Sequence, residues 1–309
     1  MAGRDPRADI LDNSPFSNVK PKIHRIHSST SDDGTIHINV GGSRKSFSNK
    51  PKTNNNTSIW HFSDIEKSNL KLATAAFSLA LGFFAVRGIW GINSLGVTKW
   101  ALMIIISMPV MLLAVGPAFV LHEIGHKIIA KNYGCWAEFR ADPNGLKNGI
   151  LIAFLTGFLF MNPGAVYVRG LIPKRHNGHI AVAGPLTNLS LFIIGIPLWT
   201  IILGLTGAFN GDHSSVIFSR DLSASYFDGS SIVWQSMLID SGSVWLTANL
   251  ILGLFNMIPW GPLDGAKVIS WNESAFYLVF SIFLLPVVGM FLGFWGPTAL
   301  LSDCVGLIF

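Results

Sequence analysis

The chain has 309 residues, half of them apolar and only 13% charged, and its mean hydropathy is +0.47. Soluble domains carry about 25% charged residues, so this composition excludes an ordinary soluble enzyme and points to a membrane protein. The net charge of +5 is unevenly spread: residues 1–71 hold eleven of the twenty-two Lys/Arg and seven of the seventeen Asp/Glu. Two cysteines, Cys135 and Cys304, supply neither a disulfide framework nor a thiolate zinc site.

Residues 1–60 are rich in Ser, Asn, Lys, Asp and Gly and poor in large apolar side chains, which predicts a polar, disordered cytoplasmic tail. Within it, Thr35-Ile36-His37-Ile38-Asn39-Val40 alternates as one strand does. No cleavable signal peptide is expected, because the first apolar run begins near Leu70. A basic tail beside a first membrane span needs no nucleic-acid partner. His24, His27, His37 and His61 lack ligand spacing and read as surface residues.

Five apolar runs are long enough to cross a bilayer, at about twenty residues each. They are predicted at about Leu70–Trp90, Ala101–Ala130, Ile180–Leu205, Trp234–Ile258 and Ala275–Leu300. Arg87, near the end of the first, is placed to snorkel to the interface. The second contains Pro109 and Pro117, read as kinks, and at about 1.5 Å per residue it exceeds a 30 Å core. Ile150–Met161 is apolar but too short for a normal span.

Lys and Arg placement sets the orientation. With the tail in the cytoplasm, Lys127, Lys131, Arg140, Lys147, Arg169, Lys174, Arg175 and Lys267 fall on the cytoplasmic side, against Lys99 and Arg220 outside. The asymmetry survives only if Ile150–Met161 dips in and returns. The expected fold is therefore an all-α polytopic membrane protein of five to six transmembrane helices, with a short membrane-associated β or re-entrant region between the second and third spans. The expected organisation is a tail, 1–60, and a membrane domain, 61–309, with core spans near 101–131, 180–206 and 234–265. The localisation that follows is a multi-pass protein of the cell membrane.

Inside the second span lies His122-Glu123-Ile124-Gly125-His126, an HExxH motif. On a helix, positions i and i+4 share a face, so both imidazoles reach one metal ion with Glu123 beside them. Random placement of nine His and four Glu predicts roughly 0.003 such motifs in this chain, which sets chance aside. Ionisable groups at bilayer depth are costly and mark function. Catalytic zinc usually takes three protein ligands plus water, so one is missing. Asp264, in Asn256-Met257-Ile258-Pro259-Trp260-Gly261-Pro262-Leu263-Asp264-Gly265, is the candidate. It falls near the same membrane face as the two histidines, although by itself it also reads as a helix cap.

HExxH in one span and Asn-x-x-Pro-x-x-Pro-Leu-Asp-Gly in a later one resemble the site-2 protease family of intramembrane zinc metalloproteases. The family's second proline usually stands one place earlier than Pro262. Gly184-Pro185-Leu186-Thr187-Asn188 is similar to a third family element, Gly-x-x-x-Asn, and Asn162–Val168 to the strand region of archaeal members. The resemblance spans about residues 60–300. It implies that His122, His126 and Asp264 hold one Zn²⁺ and that Glu123 is the general base. For Asn188 it implies either oxyanion stabilisation or a grip on the substrate strand. From composition alone Gly184 and Asn188 read equally well as helix packing. The implied substrate is a single-span membrane protein in the lipid bilayer, unwound at the scissile bond and paired with an edge near Trp136–Phe139 or Ala165–Val168.

Two other classes compete: a catalytically silent metal-binding scaffold and a metal transporter. A silent relative would have lost a ligand or the base, and all four residues are present. A transporter needs polar groups through the full membrane depth, and here they cluster on one side.

Overall fold

The computed structural model describes residues 26–30, 36–40, 61–170, 172–219 and 221–309. The chain divides into two compact units, Met1–Thr53 and Asn54–Phe309. In the first, β1 (Ile26–Thr30) pairs antiparallel with β2 (Ile36–Val40), Ile26 facing Val40. The alternating run is thus one arm of a strand pair. Otherwise the expected disorder of the tail lies outside the described residues.

The second unit is helical. Its elements are α1 (Asp64–Ala85), α2 (Val97–Asn132), β3 (Trp136–Ala141), α3 (Pro143–Thr156), β4 (Gly164–Arg169) and α4 (Lys174–Thr206). They are followed by α5 (Trp234–Asn256), α6 (Asp264–Trp271), α7 (Glu273–Phe291) and α8 (Pro297–Ile308). Five of these, α1, α2, α4, α5 and α7, are long and apolar enough to cross a membrane.

Helix ends explain where the expected spans shift. Ser63 caps α1 by accepting the Glu66 N–H (3.2 Å), so the first helix starts before Leu70. It stops before Trp90 because the chain turns at Arg87, the one non-glycine residue with positive φ (59°) among those described. The Arg87 Nη2 donates to Ser219 O (3.1 Å) in the loop between α4 and α5. The last expected span is two helices, broken after Phe291 at Gly293 (φ 78°) and restarted by Pro297 in a first turn. Ile150–Thr156 ends the 14-residue α3, about 21 Å long at ~1.5 Å per residue and too short to span. Gly157, left-handed (φ 70°), turns the chain back toward β4. At 36 residues, or about 54 Å, α2 extends well beyond a ~30 Å core.

Between α2 and α4, β3 and β4 form a two-stranded antiparallel sheet with Phe139 opposite Val166. Phe139 docks edge-on against Phe119 of α2 (5.8 Å between centroids), and Phe119 packs on Phe77 of α1 (5.6 Å). Two outward N–H groups of β3 are taken by α1: Phe139 donates to Glu66 Oε1 (3.1 Å) and Ala141 to Asn69 Oδ1 (3.0 Å). The outward edge of β4 instead faces the HExxH helix.

Candidate metal centre

The two histidines of α2 lie one turn apart with Nε2 atoms 3.1 Å from each other. Asp264 comes in from the start of α6, its Oδ2 lying 3.0 Å from His126 Nε2 and 3.5 Å from His122 Nε2. All three side chains are buried. The approach of α6 depends on Gly265: a Cβ there would sit 2.1 Å from Met257 O. Asp264 is the first residue of α6 rather than its cap, which is Leu263, and its other oxygen accepts from Lys267 Nζ (3.1 Å). Asn256 bonds within its own helix, donating to Leu252 O (3.0 Å).

The far side of each imidazole fixes its tautomer. His126 Nδ1 is 2.7 Å from Ile180 O, a carbonyl that can only accept, so Nδ1 carries the proton. His122 Nδ1 is 2.6 Å from Asn188 Oδ1. The Asn188 amide group donates to Ala118 O (2.9 Å) and Asn249 Oδ1 (3.0 Å), so its oxygen is the acceptor and His122 Nδ1 is again the donor. In the neutral form that binds a metal, both imidazoles then turn a lone pair, not a proton, toward Asp264 Oδ2. Three acceptors converge, and a buried cation is what reconciles them.

The spacing suits zinc. Tetrahedral bonds of about 2.0–2.1 Å place neighbouring ligand atoms about 3.3–3.4 Å apart. The observed edges of 3.0, 3.1 and 3.5 Å lie close to that. Glu123, also buried, groups with the two histidines, one ligand atom from each lying within 4.8 Å of the others. Its Oε2 accepts the Val166 N–H of β4 (2.8 Å).

Gly184 and Asn188 both belong to this site. A Cβ on Gly184 would lie 2.4 Å from His126 Nε2 and 2.6 Å from His122 Cε1, so only glycine lets α4 pass this close to the rings. One turn on, Asn188 has no N–H left for an oxyanion or a substrate strand, because both are spent on Ala118 and Asn249. Sequence reading missed Asn249, the Ile180 carbonyl and the Val166 N–H. An Asn in the middle of an apolar run of membrane length was a legible signal for the first. Backbone groups carry no such signal. His176 and His179 lie in the first turns of α4, where the Tyr133 ring stacks on His176 (3.9 Å).

Among curated proteins, MJ0611 of Methanocaldococcus jannaschii, by name a candidate zinc metalloprotease, is 34% identical over 187 residues. That match covers 60% of this chain and 80% of the relative. The chain belongs to this family of zinc metalloproteases. A second family protein, YwhC of Bacillus subtilis, also named as a candidate zinc metalloprotease, is 28% identical over 171 residues, covering 53% of this chain and 68% of that one. Zinc metalloprotease MJ0392 of M. jannaschii is 29% identical over 150 residues, covering 48% of this chain but 30% of its own length. No family model matches the chain, and no solved structure does.

Proposed function

We propose that this protein is an intramembrane zinc metalloprotease of the site-2 type, hydrolysing peptide bonds within or near the transmembrane segments of single-span membrane proteins. The observation that carries the reading is the convergence of His122 Nε2, His126 Nε2 and Asp264 Oδ2 beside Glu123, buried among helices of membrane-crossing length. Residues 61–309 are the protease unit, and His122, His126 and Asp264 hold one Zn²⁺. Bound there, zinc supplies a Lewis acid that makes water a nucleophile near neutral pH and polarises the scissile carbonyl.

The chain's own groups do the rest. Glu123 takes the proton from the attacking water and returns it to the leaving amine. Asn188 fixes the His122 tautomer, with Asn249 holding Asn188 in turn. The outward edge of β4 supports substrate addition as a further strand: Gly164 and Val168 share the parity that points away from β3, and Val166 between them ties that edge to Glu123. An unwound substrate on this edge brings its backbone to the base. Replacing residues 165–168 with prolines is expected to abolish cleavage; an unchanged rate and cut site would rule out strand addition.

The Lys/Arg asymmetry supports a cytoplasmic tail in the cell membrane, with the metal end of the bundle toward the cytoplasm. The test of function is cleavage of a single-span reporter by purified protein in detergent, wild type against Glu123→Gln at equal bound zinc. Loss of cleavage with zinc retained is the expected result. Zinc without cleavage in both proteins would favour a metal-binding scaffold, and a wild type that binds no zinc sinks the ligand assignment.

A further inference from the structure

Lys127 directly follows the metal-facing His126, and its ammonium is buried (2% exposed) rather than solvated. It is held by Glu66 Oε1 (2.7 Å) and Oε2 (2.6 Å), by His61 O (3.0 Å), and by the face of the Phe62 ring (3.7 Å to the centroid). Glu66 is itself fully buried, and its Oε1 also accepts the Phe139 N–H of β3 (3.1 Å). Phe139 is the strand partner of Val166, whose N–H is bound by Glu123.

These bonds close a loop. Glu123 and Lys127 are four residues apart on one face of α2. Glu123 grips the β4 edge at Val166, and Lys127, through Glu66, grips the β3 edge at Phe139. Both edges of the sheet are therefore held at a single rung by the helix that carries the histidines. A buried ion pair contributes little net stability against an apolar pair of similar size, so stability alone does not account for this one.

We infer that Glu66 and Lys127 are positioning residues for cleavage. Their pair is a strut that sets the height of the β3–β4 sheet against α2, so that the substrate-accepting edge meets Glu123 in one register. The inference rests on the proposed function, and it makes the strut a determinant of which peptide bond is cut. The step that matters is the Glu66–Phe139 hydrogen bond; the lysine neutralises and orients the carboxylate that makes it.

Two double variants of the full chain separate this from a merely structural role. Glu66→Leu with Lys127→Met replaces the ion pair by apolar side chains and frees the Phe139 N–H. Glu66→Gln with Lys127→Met also removes both charges but keeps an acceptor for Phe139. Each is assayed in detergent on the single-span reporter, with zinc per chain, Tm, kcat and KM, and with product termini read by mass spectrometry. The Leu variant is expected to bind zinc as wild type does, to lose at least about tenfold in kcat/KM, and to cut at neighbouring bonds as well. The Gln variant is expected to keep the wild-type bond. Identical behaviour of the two variants, in cut site and KM, overturns the strut, as does loss of zinc in the Leu variant. A wild type that does not cleave at all overturns instead the function on which the strut rests.

Discussion

Two aspartates, Asp240 and Asp264, are buried in the same bundle (0% and 6% exposed) and have opposite surroundings. Asp240, near the start of α5, is surrounded by donors. Its Oδ1 accepts from Ser215 Oγ, and its Oδ2 from the Val216 N–H (2.8 Å), the Ile217 N–H (3.1 Å) and Tyr226 OH (2.9 Å). It clamps the loop between α4 and α5, and nothing further is asked of it. Asp264, just beyond the other end of α5, takes one donor, Lys267, on Oδ1 and turns Oδ2 to the Nε2 atoms of two imidazoles. Burial and residue type do not separate a clamp from a metal ligand. The sign of the neighbouring atoms does.

The largest expected effect tests that distinction directly. Asp264→Asn should abolish bound zinc and with it reporter cleavage, while the helices hold, because few fold contacts depend on this carboxylate. Asp240→Asn should leave one zinc per chain. Elemental analysis of the two purified variants decides it; zinc retained by the Asp264 variant would break the comparison.

How far the sequence reached follows the same division. HExxH, the late aspartate and the five long apolar helices are legible because side-chain type and spacing encode them. Arg87 turning the chain and the break at Gly293 were not, since they depend on local backbone geometry; the early start is written in Ser63-x-x-Glu66, a capping pattern that apolar length alone passes over. For Gly184 and Asn188 the residue types alone left packing and chemistry equally open. What the structure adds is proximity: a side chain on Gly184 would strike the imidazoles, and Asn188 Oδ1 lies 2.6 Å from His122 Nδ1. Glu66 was invisible as a partner of Lys127, because 61 residues separate them and neither sits in a motif.

A graded pair of variants sharpens the account of the metal end. Asn188→Leu leaves the His122 Nδ1 proton without an acceptor and should weaken zinc binding about 10–100-fold, the usual loss when a ligand's orienting partner goes. Asn249→Leu removes only the group that steadies Asn188 and should cost less. Competition with a calibrated chelator measures both. Equal losses would mean that Asn249 acts on the site by another route.

The clamp end has a different expected signature. Asp240→Ala strands the Val216 and Ile217 N–H groups and the Tyr226 hydroxyl, at about 1–3 kcal/mol for each group left unsatisfied. The loss should appear as protease sensitivity between Ser215 and Tyr226 and as a lower Tm, with zinc affinity unchanged. Burial and the neighbouring Asp240 charge both push the Tyr226 hydroxyl well above its ordinary pKa, so it stays a donor across the working pH range.

Glu138 is the smallest case and belongs with Asp240, as a carboxylate given donors. Partial burial pushes its carboxyl up, but hydrogen bonds from Arg140 Nη2 (2.6 Å) and Ser63 Oγ (3.0 Å) outweigh this and hold it below its ordinary value. A depressed carboxylate stabilises the fold above its unfolded pKa, and that contribution fades as pH falls through the folded value. Ser63 also caps α1, and a lost cap costs about 1 kcal/mol at any pH. Ser63→Ala should therefore lower stability by roughly that amount plus the Glu138 part at pH 7. Near the acid end of the carboxylate range only the cap loss should remain. Unfolding of wild type and variant at both pH values measures the two parts separately. A difference that does not change with pH would assign Ser63 wholly to the helix start, and would leave the β3 edge tied to α1 by Glu66 and Asn69 alone.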